Sequence, residues 1–235
     1  MQRASRNPST ALKKVPYFSN LSQFELDELA KSLVMRKFGA NNIIFHLGDP
    51  GGLLYIISSG KVKISRSTPE GQEALLAILG PGDFFGELAL LDDFPRSATA
   101  EAIEDAEMLT LHREEFLHFL EGNVVFMQQL LSTLSKRIRH LNSQISDIFF
   151  LDLPARLARN LLNLSEQHGK EVDNGVMIDI SLTQTDMAEM SGATRVSINK
   201  ALARFRKAGW VSTQGRHVII HDKAGLRGLI QRSGG

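Results

Sequence analysis

The chain has 235 residues, of which 43% are hydrophobic and 23% charged, a composition typical of a globular protein and not of a disordered one. Its formal net charge is +1, and it contains no cysteine, which excludes disulfides, thiolate-bound metals and iron–sulfur clusters. The N-terminus is polar and no run of about 18 apolar residues occurs, so we expect no signal peptide, no membrane association and a cytoplasmic location.

The charge is distributed unevenly along the chain. Residues 1–152 contain 15 Lys and Arg against 19 Asp and Glu, a net charge of −4, whereas residues 153–235 contain 12 against 7, a net charge of +5. An acidic first part followed by a basic second part predicts two domains, of which the second faces a polyanion. A basic face that is only solvated is the alternative.

The first half of the chain has the pattern of a β domain. Residues 1–14 are predicted to form a flexible arm, and apolar spacing predicts a helix over Ser22–Val34. From Met35 onwards, short β-type runs alternate with glycine and proline, which predicts a jelly-roll domain over residues 15–122. The predicted strands are Ile43–Phe45, Leu53–Ile57, Lys61–Ser65, Ala74–Leu79 and Glu107–Leu111.

A heptad pattern follows in the middle of the chain. Seven apolar residues are spaced alternately by four and three, so they form one seam on a helix from Asn123 to Ile148, about 38 Å long. The helix either packs on its own domain or pairs with a second copy. The narrow stripe favours a parallel homodimer, and residues 123–151 are assigned to the dimerisation helix and hinge. The seam residues are Met127, Leu131, Leu134, Ile138, Leu141, Ile145 and Ile148.

The remaining residues, 152–235, form the predicted C-terminal domain. Asp152 suits the N-cap of a helix over Pro154–Ser165, because proline ends the preceding helix and fits the first turn of the next. A strand is predicted over Val176–Ile180.

The end of the chain has the pattern of a winged helix-turn-helix. A capping box at Thr183 begins a helix over Gln184–Met190, and after a glycine-containing turn Thr194 caps a second helix that runs to Ala208. A hairpin around Thr213–Arg216 supplies the wing.

The second of these helices is the predicted DNA reader, because a recognition helix presents its N-terminal residues to base edges in a major groove about 12 Å wide. Arg195 lies at this end, where it can make a bidentate contact with guanine. A helical hairpin with a solvated basic face is the alternative. The predicted contacts with double-stranded operator DNA are Gln184, Thr194, Arg195, Val196, Ser197 and Lys200. Of these, Gln184 and Thr194 are expected, with the wing, to donate to phosphates.

The segment from Gly82 to Thr99 is the most specific string of the sequence. Its glycines and short apolar turn can present backbone N–H groups to an anion, and Arg96 adds a planar cation suited to phosphate oxygens. Glu87 only accepts hydrogen bonds when ionised, which suits sugar hydroxyls. The alternative is an internal Glu87–Arg96 ion pair that closes the loop.

This segment resembles the phosphate-binding cassette of cyclic-nucleotide-binding domains. With the heptad helix and the winged helix-turn-helix, the chain resembles the CRP/FNR family of bacterial transcription regulators from about Val15 to Asp222. The resemblance implies an α+β fold with an N-terminal jelly roll, a long dimerisation helix and a C-terminal winged helix-turn-helix. It also implies a homodimer whose DNA affinity is controlled allosterically by cAMP, which sets two recognition helices about 34 Å apart.

The resemblance assigns ligand contacts as well. Arg96 would pair with the cyclic phosphate, Ser97 would hydrogen-bond it, and Glu87 would bind the ribose 2′-hydroxyl. The cyclic nucleotide is expected as an effector and not as a tightly bound cofactor, and RNA polymerase as a further partner. The implied ligand-binding residues are Gly86, Glu87, Leu88, Arg96, Ser97, Arg137 and Asn142.

Two residues depart from the family pattern. Leu141 stands where cAMP-responsive members usually have threonine, which motivates the alternative of a constitutive regulator with no nucleotide requirement. Val196 stands where glutamate is common, and it offers an apolar contact to a thymine methyl but no acceptor for cytosine. A further alternative is a nucleotide-binding regulatory module that acts on a partner protein. No nucleophile elbow, Walker loop, paired carboxylates or histidine cluster is evident, so neither catalysis nor a metal site is expected.

Overall fold

The computed structural model describes Leu12, Val15, Phe18 and residues 21–233. The chain divides into two compact units, residues up to 70 with 76–137, and 71–75 with the residues from 138 onwards. This division falls inside the long helix, whereas the sequence analysis places domain boundaries at either end of it. Most of the predicted arm lies outside the described residues, but Leu12 is fully buried, so the packed region includes it.

The first unit contains most of the strands. The strands are β1 (Val34–Phe38), β2 (Ile43–Phe45), β3 (Leu53–Ser59), β4 (Val62–Ser67), β5 (Glu73–Leu79), β6 (Phe84–Phe85), β7 (Thr99–Ala102) and β8 (Ala106–His112). The helices are α1 (Gln23–Lys31), α2 (Leu88–Leu91), α3 (Arg113–Gly122) and α4 (Val124–Phe150). The division into units passes through two of these elements, since β5 begins and α4 ends with residues of the second unit.

Two four-stranded sheets, in the orders β1-β8-β3-β6 and β2-β7-β4-β5, form the jelly roll. Strand β3 is buried on both faces and connects the two cores of this unit. Leu54 and Ile56 pack into one core with α1, α3 and α4, while Tyr55 and Ile57 pack into a second core with residues of the other sheet. Because side chains alternate along a strand, β3 thereby contributes to both cores.

One predicted boundary in this unit is wrong. The helix expected over Ser22–Val34 ends at Lys31, and Val34 begins β1, which pairs with β8 in antiparallel register. The start of the helix agrees with the prediction, since Ser22 forms a capping box with Glu25. The end differs because pairing with a strand more than 70 residues away decides the conformation of Val34.

The heptad helix forms as predicted and is slightly longer, from Val124 to Phe150. Its first turn is held by Asn123, whose side-chain oxygen accepts from the backbone N–H of Phe126 at 2.8 Å. The amide nitrogen of Asn123 donates to the carboxylate of Glu25, which also belongs to the capping box of α1. One carboxylate therefore stabilises the beginnings of two helices.

The second unit has the helices and the sheet of a winged helix-turn-helix. Helix α5 packs against the other helices, and β12 pairs with both β10 and β11. The core is formed largely by Leu157, Leu161, Ile198, Phe205 and Leu226. The elements are α5 (Leu153–His168), β9 (Gly169–Val172), β10 (Gly175–Ile178), α6 (Gln184–Ser191), α7 (Arg195–Lys207), β11 (Val211–Gln214), β12 (His217–Ile220) and α8 (Lys223–Ser233).

The hinge between α4 and α5 is held by local polar contacts. The predicted cap is confirmed, because Asp152 Oδ1 accepts from the N–H of Ala155 at 2.9 Å. Arg159 of α5 pairs with Asp147 of α4 at 3.1 Å, and burial nevertheless raises the pKa of Asp147 against the opposing effect of this cation. Arg156 donates to the carbonyls of Leu151 and Ser191.

We expect Asn123→Ala to lower the free energy of unfolding by about 1–2 kcal/mol, because α4 loses its N-cap and Glu25 loses a donor. Urea unfolding followed by circular dichroism, at equal protein concentrations, measures the change. Gln128→Ala, on the exposed side of the same helix, should stay within about 0.5 kcal/mol of wild type. Equal stability of the two variants would contradict the role of Asn123.

Candidate nucleotide and DNA sites

Arg96 is the centre of the predicted cassette and lies almost completely buried, with 4% of its surface exposed. Its Nη1 donates to the carbonyl of Gly86 and its Nη2 to the carbonyl of Leu53, both at 2.8 Å. The guanidinium lies 4.3 Å from the ring centroid of Phe45, a cation–π contact. Its Nε is buried without a partner. The site therefore holds a positive charge that retains hydrogen-bonding capacity.

The electrostatics of this charge are dominated by its burial. Removal from water lowers the pKa of Arg96, and the negative charges of Glu87 and Asp49 act in the opposite direction. Burial also raises the pKa of the neighbouring Tyr55 phenol. An anion placed beside the guanidinium would offset the desolvation of Arg96, and this is the chemistry expected of a phosphate site.

Gly86 is required at the elbow of the cassette for two reasons. Its φ of +83° lies in the left-handed region, and a Cβ atom there would come within 2.6 Å of Arg96 Nη1 and 3.0 Å of the Leu53 carbonyl oxygen. The predicted importance of this glycine thus has a geometric basis: it permits the close approach of the arginine to the backbone.

Glu87 is paired with the long helix and not with Arg96. Its Oε1 accepts from Arg137 Nη1 at 2.6 Å, and Arg137 Nη2 donates to the carbonyl of Phe84 at 2.5 Å. The guanidinium of Arg137 also lies 4.9 Å from the ring centroid of Phe84. The expected alternative of a Glu87–Arg96 ion pair is therefore wrong, because Glu87 is neutralised by a residue 50 positions away in sequence.

The remaining predicted ligand residues have simpler environments. Leu88, at the start of α2, and the side chains of Ser97 and Asn142 are exposed. The structure thus brings together Gly86, Arg96, Glu87 and Arg137 through direct hydrogen bonds.

Sequence reasoning missed the aromatic surroundings of Arg96. Phe45, Tyr55 and Phe85 pack on one another, and Tyr55 stacks on Phe85 with ring centroids 5.1 Å apart. The available signal is the alternation in β3, which places Tyr55 on the opposite face from Leu54 and Ile56.

The predicted seam is an exposed apolar stripe on α4. Leu131, Ile138, Ile145 and Ile148 each expose more than half of their surface, and Leu141 exposes 47%. Another face of the same helix is buried in the first unit through Phe126 and Leu130, with Leu134 packed beside them. Most seam residues are therefore not used for packing within the chain.

The helix-turn-helix has the predicted caps and turn. Thr183 forms its capping box with Asp186, Gly192 ends α6 in the left-handed conformation with a φ of +58°, and Thr194 caps α7. Arg195 is thus the first residue of α7. Its Nε donates to Gln184 Oε1 at 3.2 Å.

The other predicted DNA contacts lie on the same helix. Val196 exposes 64% of its surface and Lys200 is exposed, so both are accessible. The hydroxyls of Thr194 and Ser197 lie 3.0 Å apart and form one hydrogen bond, while Thr194 also accepts from the N–H of Ser197. Ile198, Leu202 and Phe205 face the core, as the helical spacing predicts.

The described part of the chain contains neither a metal-binding cluster nor a membrane-spanning helix. Among these residues, no group of three or more His, Asp or Glu side chains is arranged to hold a metal ion. No helix within the same part combines the length and the apolar character needed to cross a lipid bilayer.

Comparisons with known proteins agree with this geometry. Residues 35–123 match the model of the cyclic nucleotide-binding domain, and residues 155–229 match that of the Crp-like helix-turn-helix domain. The CRP-like cAMP-activated global transcriptional regulator of Mycobacterium tuberculosis is 36% identical over 215 residues, covering 92% of this chain and 96% of the relative. The cyclic AMP receptor protein of Thermus thermophilus is 32% identical, covering 91% and 95%.

A solved structure shows the same fold. FixK2 from Bradyrhizobium japonicum superposes with a TM-score of 0.75 at 20% identity, covering 84% of this chain and 96% of that one.

The fold and the two matched domains define a DNA-binding transcription regulator with a cyclic nucleotide-binding domain. The chain belongs to the CRP/FNR family. Members of this family are regulators and not enzymes, so the prediction of a non-enzymatic function is confirmed. Membership also argues against a module that acts only on a partner protein, because the second matched domain is of a DNA-binding type.

We expect Gly86→Ala to destabilise the protein by at least about 1 kcal/mol more than Gly48→Ala. Both glycines have a φ close to +85°, but a Cβ at Gly48 would meet nothing within 4 Å, so the comparison isolates the contact with Arg96. Urea unfolding of the two variants measures the difference. Equal destabilisation would show that only backbone conformation matters at Gly86.

Proposed function

We propose that this chain is a homodimeric, sequence-specific transcription regulator whose DNA affinity is controlled by cAMP. The hydrogen-bonded pair Glu87–Arg137 carries this proposal, because it connects the predicted ribose site to the long helix. The names of the two curated relatives, one cAMP-activated and one a cyclic AMP receptor, support cAMP as the effector.

The chemistry of the cassette suits a cyclic phosphate. Arg96 supplies a buried cation with an unpartnered Nε, and an anion near it is favoured because it would offset the desolvation of the guanidinium. Ser97, adjacent in sequence and exposed, would add a hydroxyl donor. Glu87 would accept from the ribose 2′-hydroxyl.

Ligand binding at Glu87 would compete with Arg137 for the same carboxylate. A nucleotide whose ribose hydroxyl donates to Glu87 changes the hydrogen bond between Glu87 and Arg137 of α4. If α4 has two arrangements, the nucleotide then shifts the population towards the arrangement that it contacts better. This differential contact is the allosteric step that we propose.

The homodimer is supported by the exposed seam. Apolar residues repeated with heptad spacing on one helix are stabilised when a second copy covers them, and most of this face is not covered by the part of the chain that the structure describes. A homodimer presents two copies of α7, which suits an operator with two half-sites. RNA polymerase as a further partner stays a prediction.

A constitutive regulator without a nucleotide requirement is the second candidate. It is favoured by the fact that Glu87 is already neutralised by Arg137 and that two Arg96 nitrogens are already bound to carbonyls. Leu141, which stands where cAMP-responsive members usually have threonine, also favours a constitutive regulator. Operator affinity measured with and without cAMP distinguishes the candidates, since equal affinities would support constitutive binding.

We expect Ile145→Glu to convert the protein to a monomer, because two buried carboxylates would face each other across the seam. Sedimentation equilibrium should give twice 26.0 kDa for wild type and 26.0 kDa for the variant. Ser143→Glu, exposed two residues away on the same helix, adds the same charge and should remain dimeric. A monomeric wild type at micromolar concentration would reject the homodimer.

Calorimetry should detect binding of cAMP to wild type and about tenfold weaker binding to Ser97→Ala, since one hydrogen bond to a charged group is lost. Ser67→Ala, an exposed serine at the end of β4, should bind as wild type does. Titration with cGMP tests the choice of base. Absence of binding to wild type at millimolar nucleotide would reject ligand control.

A further inference from the structure

Gln184 and Arg195 occupy equivalent positions at the beginnings of the two helices of the helix-turn-helix. Each is the first residue of its helix, and the bond from Arg195 Nε to Gln184 Oε1 crosses the turn between them. Gln184 is half-buried, whereas Arg195 is exposed. The half-buried amide of Gln184 thus binds the exposed guanidinium of Arg195 at its Nε.

The backbones on both sides of this bond are well fixed. Gln184 lies inside a capping box. Asp186 Oδ2 accepts from the N–H of Thr183 at 2.8 Å, and Thr183 Oγ1 accepts from the N–H of Asp186 at 3.0 Å. Upstream of Arg195, the cap at Thr194 performs the same task for α7. The remaining freedom is the direction of the Arg195 side chain, which the amide oxygen restricts.

The atom used in this bond matters for base reading. A guanidinium contacts guanine O6 and N7 through two nitrogens, and occupation of Nε leaves the terminal Nη1 and Nη2 for this purpose. We infer that Gln184 is a positioning residue: its side-chain oxygen orients Arg195 for an end-on contact with guanine. This differs from the phosphate-donor role expected for Gln184 from the sequence, and it rests on the proposed DNA-reading role of α7.

The two roles of Gln184 differ in what they do to sequence preference. A lost phosphate contact weakens binding to all duplexes alike, whereas a lost orientation weakens only the preference for guanine. Gln184→Glu keeps the acceptor oxygen and removes the amide donor, while Gln184→Ala removes both. The pair of variants therefore separates the two functions of one side chain.

The experiment begins with selection of duplexes from a random pool by wild-type protein, with and without cAMP. Comparison with Arg195→Ala identifies the guanine that Arg195 reads. Fluorescence anisotropy then gives the ratio of affinities for the selected duplex and for the same duplex with 7-deazaguanine, which lacks N7, at that position. We expect this ratio to fall about three- to tenfold in Gln184→Ala and to be retained in Gln184→Glu, although the added charge weakens binding to both duplexes.

Four results would overturn the inference. An equal loss of affinity for both duplexes in Gln184→Ala would make Gln184 a phosphate contact. An unchanged ratio in Gln184→Ala, or a loss in Gln184→Glu equal to that in Gln184→Ala, would remove the positioning role. If wild type enriches a sequence but Arg195→Ala loses no guanine preference, the inference fails while the regulator remains. If wild type enriches no sequence at all, the proposed function itself fails.

Discussion

The first unit depends on one physical constraint, which is that a guanidinium has been taken out of water at Arg96. A buried positive charge must be compensated, and here two backbone carbonyls and an aromatic face do so. These contacts dictate the local design: the carbonyl of Leu53 fixes β3 against the elbow, and the carbonyl of Gly86 can approach only because this residue has no side chain. The aromatic residues between the sheets are thus both core and part of the site.

The long helix combines three tasks on different faces. Phe126 and Leu130 anchor it in the first core, and Arg137 binds the cassette. Five heptad residues remain exposed, namely Leu131, Ile138, Leu141, Ile145 and Ile148. A helix with a single apolar stripe could not do this, because burial of the stripe in its own domain would leave nothing for a partner. Arg137 connects the helix to the cassette through a charged hydrogen bond with Glu87.

Features encoded over a few residues could be predicted from the sequence, and features that need distant partners could not. The caps at Asp152, Thr183 and Thr194 and the heptad spacing each depend on residues within a few positions, and all have the expected form. Strands β1 and β7 were not predicted, because β1 contains two charged residues in its middle and β7 consists largely of alanine and glutamate, which are depleted in strands. The partner of Glu87 could not be predicted either, because Arg137 lies 50 positions away in sequence. Helix α8 was not predicted, because Gly225 and Gly228 lower the helix propensity of its sequence.

The contact between Ser233 and the hinge has a topological consequence. Ser233 Oγ accepts from the N–H of Asp152 at 2.9 Å, so the last turn of α8 returns to the point where α5 begins, 81 residues earlier. The beginning of α5 and the end of α8, which are the outer limits of the DNA-binding part, are therefore in hydrogen-bond contact. Because these two points are adjacent, a short peptide can join them while new ends are opened in a surface loop, and the contacts inside the DNA-binding part are retained although the order of its elements along the chain changes.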